Sequence, residues 1–166
     1  RLVQGGLNAG VDFGGQALGK HADPRTHFTI GTGFEPEALD MEAEMSKLAH
    51  KIDAGADYIM TQPAFGSEPL TCLDDIRRSL PVLIGVLVLT GLDHALRMRD
   101  VPGMVVPDTV LERLGASRDR ETQAAVGQEL AAEQVRRVQA EGWAGVYLMS
   151  PATHQPIMDV LAAGLT

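Results

Sequence analysis

Val82-Leu83-Ile84-Gly85-Val86-Leu87-Val88-Leu89 is an unbroken apolar run, entered from Pro81 and left through Thr90-Gly91. A half-exposed strand alternates polar and apolar residues, whereas a strand covered on both faces does not, so this run predicts a central strand of a parallel sheet. It is far shorter than the roughly 18 apolar residues that a membrane-spanning helix needs. Parallel strands need long crossover connections, usually helices. The rest of the chain supplies them. Strands are expected at 28–33, at Tyr58-Ile59-Met60 and at 143–149, and helices at 36–53, 67–80, 92–99, 106–114, 119–141 and 154–163. Strand and helix alternating in this way define an α/β architecture with right-handed crossovers.

The helix expected from Pro36 carries Met41, Met45, Leu48 and Ile52 as an apolar stripe, with Glu44, Lys47 and Lys51 on another face. Glu44 is correctly spaced for an ion pair with Lys47 on a solvated surface. In the longest helix Val126, Leu130, Val135 and Val138 turn inward, and Gly142 is placed to end it. Between these elements, Gly55 marks a tight turn. Thr61 and Gln62 then fall at the carboxyl end of the second strand, where α/β folds place ligand contacts, and Pro63 interrupts the ladder. Gln62 is the first candidate for substrate contact. A carboxamide offers donors and an acceptor together to the edge of a heterocycle.

Composition narrows the classes further. A formal charge of −8 opposes a nucleic-acid partner, and the basic pairs Arg77-Arg78 and Arg136-Arg137 are too short to reverse that. Gly31 and Gly33 are followed by Phe34, Glu35 and Pro36, so they do not form a GxGxxG dinucleotide fingerprint. Cys72 is the single cysteine, which fits a reducing, cytoplasmic setting and reads as a small apolar residue. His21, His27, His94 and His154 lack metal-ligand spacing and read as surface or structural residues; no metal site is expected.

The segment Lys51-Ile-Asp-Ala-Gly-Ala-Asp-Tyr-Ile-Met-Thr-Gln-Pro-Ala-Phe65 resembles the signature of the methylenetetrahydrofolate reductase family. Leu7-Asn8-Ala9-Gly10-Val11-Asp12-Phe13-Gly14-Gly15 and Phe28-Thr29-Ile30-Gly31-Thr32-Gly33-Phe34-Glu35-Pro36 are similar to the branch found fused to a homocysteine S-methyltransferase. The resemblance implies a (β/α)8 TIM barrel, of which residues 1–166 supply about four β/α units, the second half, as a single domain. It implies FAD as cofactor, NAD(P)H as hydride donor and reduction of 5,10-methylenetetrahydrofolate to 5-methyltetrahydrofolate in one-carbon and methionine metabolism. By position, Gln62 and Phe65 match folate contacts, and Glu35, Glu44, Lys47, His50 and Lys51 match the flavin-holding set. For Glu44 and Lys51 the solvated surface remains the competing reading, and for Phe65, which could meet pterin or nicotinamide, core packing is the competing one.

The chain also departs from the family. Leu92 stands where some relatives place a stacking phenylalanine, Ala38 and Leu39 replace a family histidine, and Leu148-Met149-Ser150-Pro151 differs from the usual last-strand ending. The family's first-strand glutamate and fourth-strand aspartate match no residue here, so no catalytic residue is assigned and the isolated segment is expected to be inactive. The first four strands are expected to precede Arg1, in a longer polypeptide, or to come from a second subunit or copy that covers the open edges. Two other functions fit the same residues: a non-catalytic barrel-half subunit with an interaction or regulatory role, and a barrel enzyme acting on another pterin or one-carbon carrier.

Overall fold

The computed structural model describes residues 2–19, 25–151 and 154–165; the reading of His21 lies outside them. A helical turn, α1 (Leu2–Gly5), and a 3-10 turn, Leu7–Ala9, precede the sheet. Asn8 ties this segment to the chain ahead of the first strand: its amide donates to the Phe28 carbonyl and its side-chain oxygen accepts from the Phe28 amide, both at 3.0 Å. Four parallel strands follow in chain order, β1 (Gly31–Phe34), β2 (Tyr58–Pro63), β3 (Val82–Leu87) and β4 (Gly145–Met149). Each crossover therefore leads to the neighbouring strand. This is how a barrel is laid down unit by unit.

The connections are α2 (Met41–Asp53) between β1 and β2, 3-10 turns Glu68–Leu73 and Ile76–Arg78 between β2 and β3, then α3 (Leu92–Arg99), α4 (Asp108–Gly115) and α5 (Arg120–Ala140) before β4. A final helix, α6 (Gln155–Gly164), follows β4. Several boundaries differ from the sequence reading, two of them with a visible cause. β1 starts at Gly31 rather than 28, because the Ile30 amide is taken by the Asp57 carboxylate at 2.7 Å instead of a strand carbonyl. α2 starts at Met41 rather than Pro36, because Asp40 caps it by accepting from the Ala43 amide. The expected helix over 67–80 is a pair of 3-10 turns. Leu70, Leu73 and Ile76 recur every three residues, the period that such turns place on one face.

The central run is covered as its composition requires, with Val82, Ile84, Val86, Val88 and Leu89 all at or below 1% exposure. The sheet and α2 enclose Phe34, Leu48, Ile59 and Ile84 in one cluster; α3, α4 and α5 close over Leu87 and Leu89; and α5 with α6 covers Val86 and Val88. On the opposite face, small residues make room for large neighbours. The Tyr58 ring lies over Gly31, where an added Cβ would sit 2.6 Å from its hydroxyl, and Leu83 lies over Gly145. Tyr147 is 43% exposed on this face.

Candidate functional site

The ladder between β2 and β3 is regular at Ile59–Val82 and Met60–Leu83, then slips so that Pro63 pairs with Gly85. Between these pairs β2 holds one more residue than β3, a β-bulge at Thr61 and Gln62. Bulges bend a strand and redirect a side chain, and they recur near binding sites. The bulge is built from three components. The Thr61 hydroxyl, buried at 2% exposure, replaces a ladder carbonyl by accepting from the Gly85 amide at 2.8 Å. Gly85 allows the two backbones to touch, since any Cβ there would lie 2.8 Å from the Gln62 carbonyl carbon and closer still to the Thr61 oxygen. Downstream, Arg137 from α5 donates to the Phe65 carbonyl at 2.6 Å and to the Ala64 carbonyl at 3.0 Å. Gln62 is the exposed residue in this fixed segment, with Thr61, Pro63 and Ala64 buried around it.

Sequence reasoning missed Thr61, Gly85 and Arg137 as parts of this arrangement. One signal was available: Arg137 interrupts the inward stripe of α5 between Val135 and Val138, a costly place for a charge unless it has carbonyls to bind. Burial pushes the Arg137 guanidinium below its ordinary range, and Glu141, 3.9 Å away, acts in the opposite direction. Phe65 does not share the exposure of Gln62. It packs against the α3–α4–α5 cluster and lines a cavity of about 320 Å³ with Val110, Leu130 and Arg137.

The residues expected to hold a flavin form a second group at the β1–α2 connection. Glu44 is 5% exposed, not solvated: it accepts from the Glu35 amide at 3.3 Å and pairs with Lys47 at 3.4 Å and Lys51 at 3.9 Å. The Lys51 ammonium also donates to the Gly33 carbonyl at 2.8 Å, so it ties α2 to β1. Both lysine side chains remain exposed, 66% for Lys47 and 39% for Lys51. His50 stands apart, with its Nδ1 against the Ser46 carbonyl at 2.7 Å. Glu35 enters through its backbone amide, and its side chain is exposed. A carboxylate buried between two ammoniums can position them, and their remaining donors suit a phosphate.

Elsewhere the chemistry is sparse. Burial pushes the Cys72 thiol up, which disfavours the thiolate. Among the described residues no three His, Cys, Asp or Glu side chains gather as metal ligands, and no helix is long and apolar enough to cross a membrane.

A sequence model of the family described as methylenetetrahydrofolate reductase matches residues 25–163. The 5,10-methylenetetrahydrofolate reductase of Escherichia coli K12 is 28% identical over 112 residues, which cover 64% of this chain and 38% of that protein. Methylenetetrahydrofolate reductase 1 of Schizosaccharomyces pombe is 27% identical over 131 residues, 71% of this chain and 22% of that one. The chain thus spans well under half the length of these relatives. Among solved structures, an uncharacterised protein from Clostridium thermocellum, described as binding two copies of 5-methyl-5,6,7,8-tetrahydrofolic acid, superposes with a TM-score of 0.52 at 16% identity. That match covers 81% of this chain and 51% of the other, and it establishes the fold alone.

Proposed function

The chain belongs to the methylenetetrahydrofolate reductase family and its parallel sheet is part of a (β/α)8 barrel, and from that premise we propose that it forms the second half of a flavin-dependent reductase of 5,10-methylenetetrahydrofolate. The observation that carries the proposal is the family match over 25–163, which takes in the bulge that presents Gln62. Its carboxamide would bind the pterin edge as both donor and acceptor. Phe65, locked into the helix layer, would support that loop from behind. The bound FAD would relay a hydride from NAD(P)H to the folate. Lys47 and Lys51 would hold its phosphate-bearing end, and Glu44 would fix where the two ammoniums stand. Glu35 and His50 would border the same ligand.

The acid that protonates the folate would come from the first half of the barrel, in the same polypeptide or in a partner, together with the strands that cover β1, β4 and the face on which Tyr147 is exposed. A cytoplasmic setting accords with the single free cysteine. The test uses the full polypeptide purified without added cofactor, assayed for a flavin absorption band and for methylenetetrahydrofolate-dependent NAD(P)H oxidation. Lys47→Ala should weaken the band while leaving the bond from Lys51 to Gly33 in place. Gln62→Ala should keep the band and lose most folate turnover. A colourless protein that also refuses added FAD overturns the reductase reading and favours a non-catalytic barrel-half subunit.

A further inference from the structure

Just beyond the carboxyl end of β3 lies a polar cavity of about 220 Å³ lined by Thr90, Gly91, Asp93, His94, Arg97, Arg120 and Gln123. Two helices, α3 and α5, begin at its wall. Gln123 locks the corner: its oxygen accepts from the Leu92 amide at 3.0 Å and its nitrogen donates to the Ser117 carbonyl at 2.8 Å. The close contact leaves room only for glycine at position 91, where φ is +149° and an added Cβ would sit 2.7 Å from the Gln123 oxygen. His94 is 7% exposed, and its Nδ1 accepts from the Thr90 amide at 3.2 Å, which leaves the ring proton on Nε2. Burial and the nearby Arg97 charge both keep this imidazole neutral.

The arginines are the informative part. In a chain with 22 acidic and 14 basic residues, cations find carboxylates easily. Arg77, Arg78, Arg99, Arg113 and Arg137 each have a carboxylate within 4 Å. Among the described residues neither Arg97 nor Arg120 has one, although Asp93 opens onto the same cavity. Two guanidiniums without a carboxylate partner, Arg120 at the start of α5 and Arg97 in the last turn of α3, beside a neutral imidazole donor, are the donor set for an oxyanion.

We propose that this cavity is a subsite for the oxyanion of an extended ligand whose ring sits at Gln62. The proposal rests on the reductase reading for the identity of that ligand. Thr90 lies five residues past Gly85, the partner of the bulge, so the chain between them spans at most roughly 17 Å. An arm consisting of a benzoyl ring and a glutamate is of that order, and γ-linked glutamates would extend it. A dinucleotide phosphate offers the same chemistry from the second substrate.

The experiment uses the full polypeptide, the double variant Arg97→Gln/Arg120→Gln, and Arg118→Gln as control. Arg118 is exposed and also lacks an ion pair, but it does not line the cavity. Calorimetric titration with γ-linked triglutamate, which needs neither flavin nor turnover, should show binding that weakens about tenfold or more in the double variant and with added salt, and is unchanged in Arg118→Gln. In turnover, the double variant should raise KM for methylenetetrahydrofolate triglutamate at unchanged kcat. A rise in KM for NAD(P)H instead, with no triglutamate binding by the parent, assigns the cavity to the dinucleotide phosphate. Equal behaviour of the parent and the double variant in every arm overturns the subsite. A protein without flavin that still binds triglutamate through these arginines would refute the reductase reading alone.

Discussion

Replacing Thr61 by valine tests the bulge with almost no change of shape. The hydroxyl is the acceptor for the Gly85 amide at 2.8 Å, in a site where Thr61 is 2% exposed. Valine puts a methyl there and leaves a buried N–H without a partner, a penalty of about 1–3 kcal/mol. Burying one more methyl returns about 0.8 kcal/mol. The net loss is then about 0.2–2 kcal/mol, or up to about 8 °C in Tm for a chain of this size. Thr61→Ser, which keeps the acceptor and loses a methyl, should cost about 1 kcal/mol and leave the ladder intact. Urea unfolding would give both values, and hydrogen exchange at Gly85 would separate them: protected in parent and serine proteins, faster in valine. A valine variant as stable as the parent, with the Gly85 amide still protected, refutes the argument that the hydroxyl closes the bulge.

Arg137→Met removes both bonds to the Ala64 and Phe65 carbonyls while keeping much of the side-chain volume. It should destabilise the protein by about 2–3 kcal/mol and raise KM for the folate more than it lowers kcat; an unchanged KM would show that the clamp does not aim Gln62. Glu133→Gln probes the Arg113 pair, whose two bonds measure 2.7 and 2.9 Å. The hydrogen bond from Arg113 holds the Glu133 carboxyl below its ordinary value of 4.5, so its contribution is complete above that pH and disappears as pH falls through the lower folded value. With both side chains about two-fifths exposed, the contribution is under about 1 kcal/mol. A Tm gap between parent and variant that stays constant from neutral pH to about pH 3 would contradict this sign.

The central strand was readable because continuous burial leaves an unambiguous pattern, and the turn at Gly55 was readable because φ is +92° there, a conformation that suits glycine. Gly142, at φ +71°, ends α5 as its position suggested. Other glycines carry information that one sequence does not display. Gly127 looks like a weak point inside a helix, yet it brings α5 onto the Leu89 backbone, where a Cβ would lie 2.7 Å from the carbonyl carbon. Gly85 reads as an interruption of an apolar run until its partner strand is known. Glu44 shows the same limit for charge. Its helical face is polar, as expected of surface, but the β1–α2 connection folds back over it, and the helical periodicity of α2 carries no mark of that. The end of β2 beside Gln62 was legible because a polar pair and Pro63 follow an apolar run within three residues.

All four strands point the same way, and among the described residues the sheet has two unpaired margins, β1 and β4. A neighbouring hairpin arm runs antiparallel to the strand it follows, so no tight turn can bring chain from either margin back alongside in the matching direction. Any strand that continues the curvature must arrive by its own crossover. The two margins are also unlike in sequence, Gly31-Thr32-Gly33-Phe34 against Gly145-Val146-Tyr147-Leu148-Met149, so what fits one does not fit the other. Closure of a ring on this sheet would therefore be directional: the added strands would need a first strand suited to β4 and a last strand suited to β1, in that order around the axis.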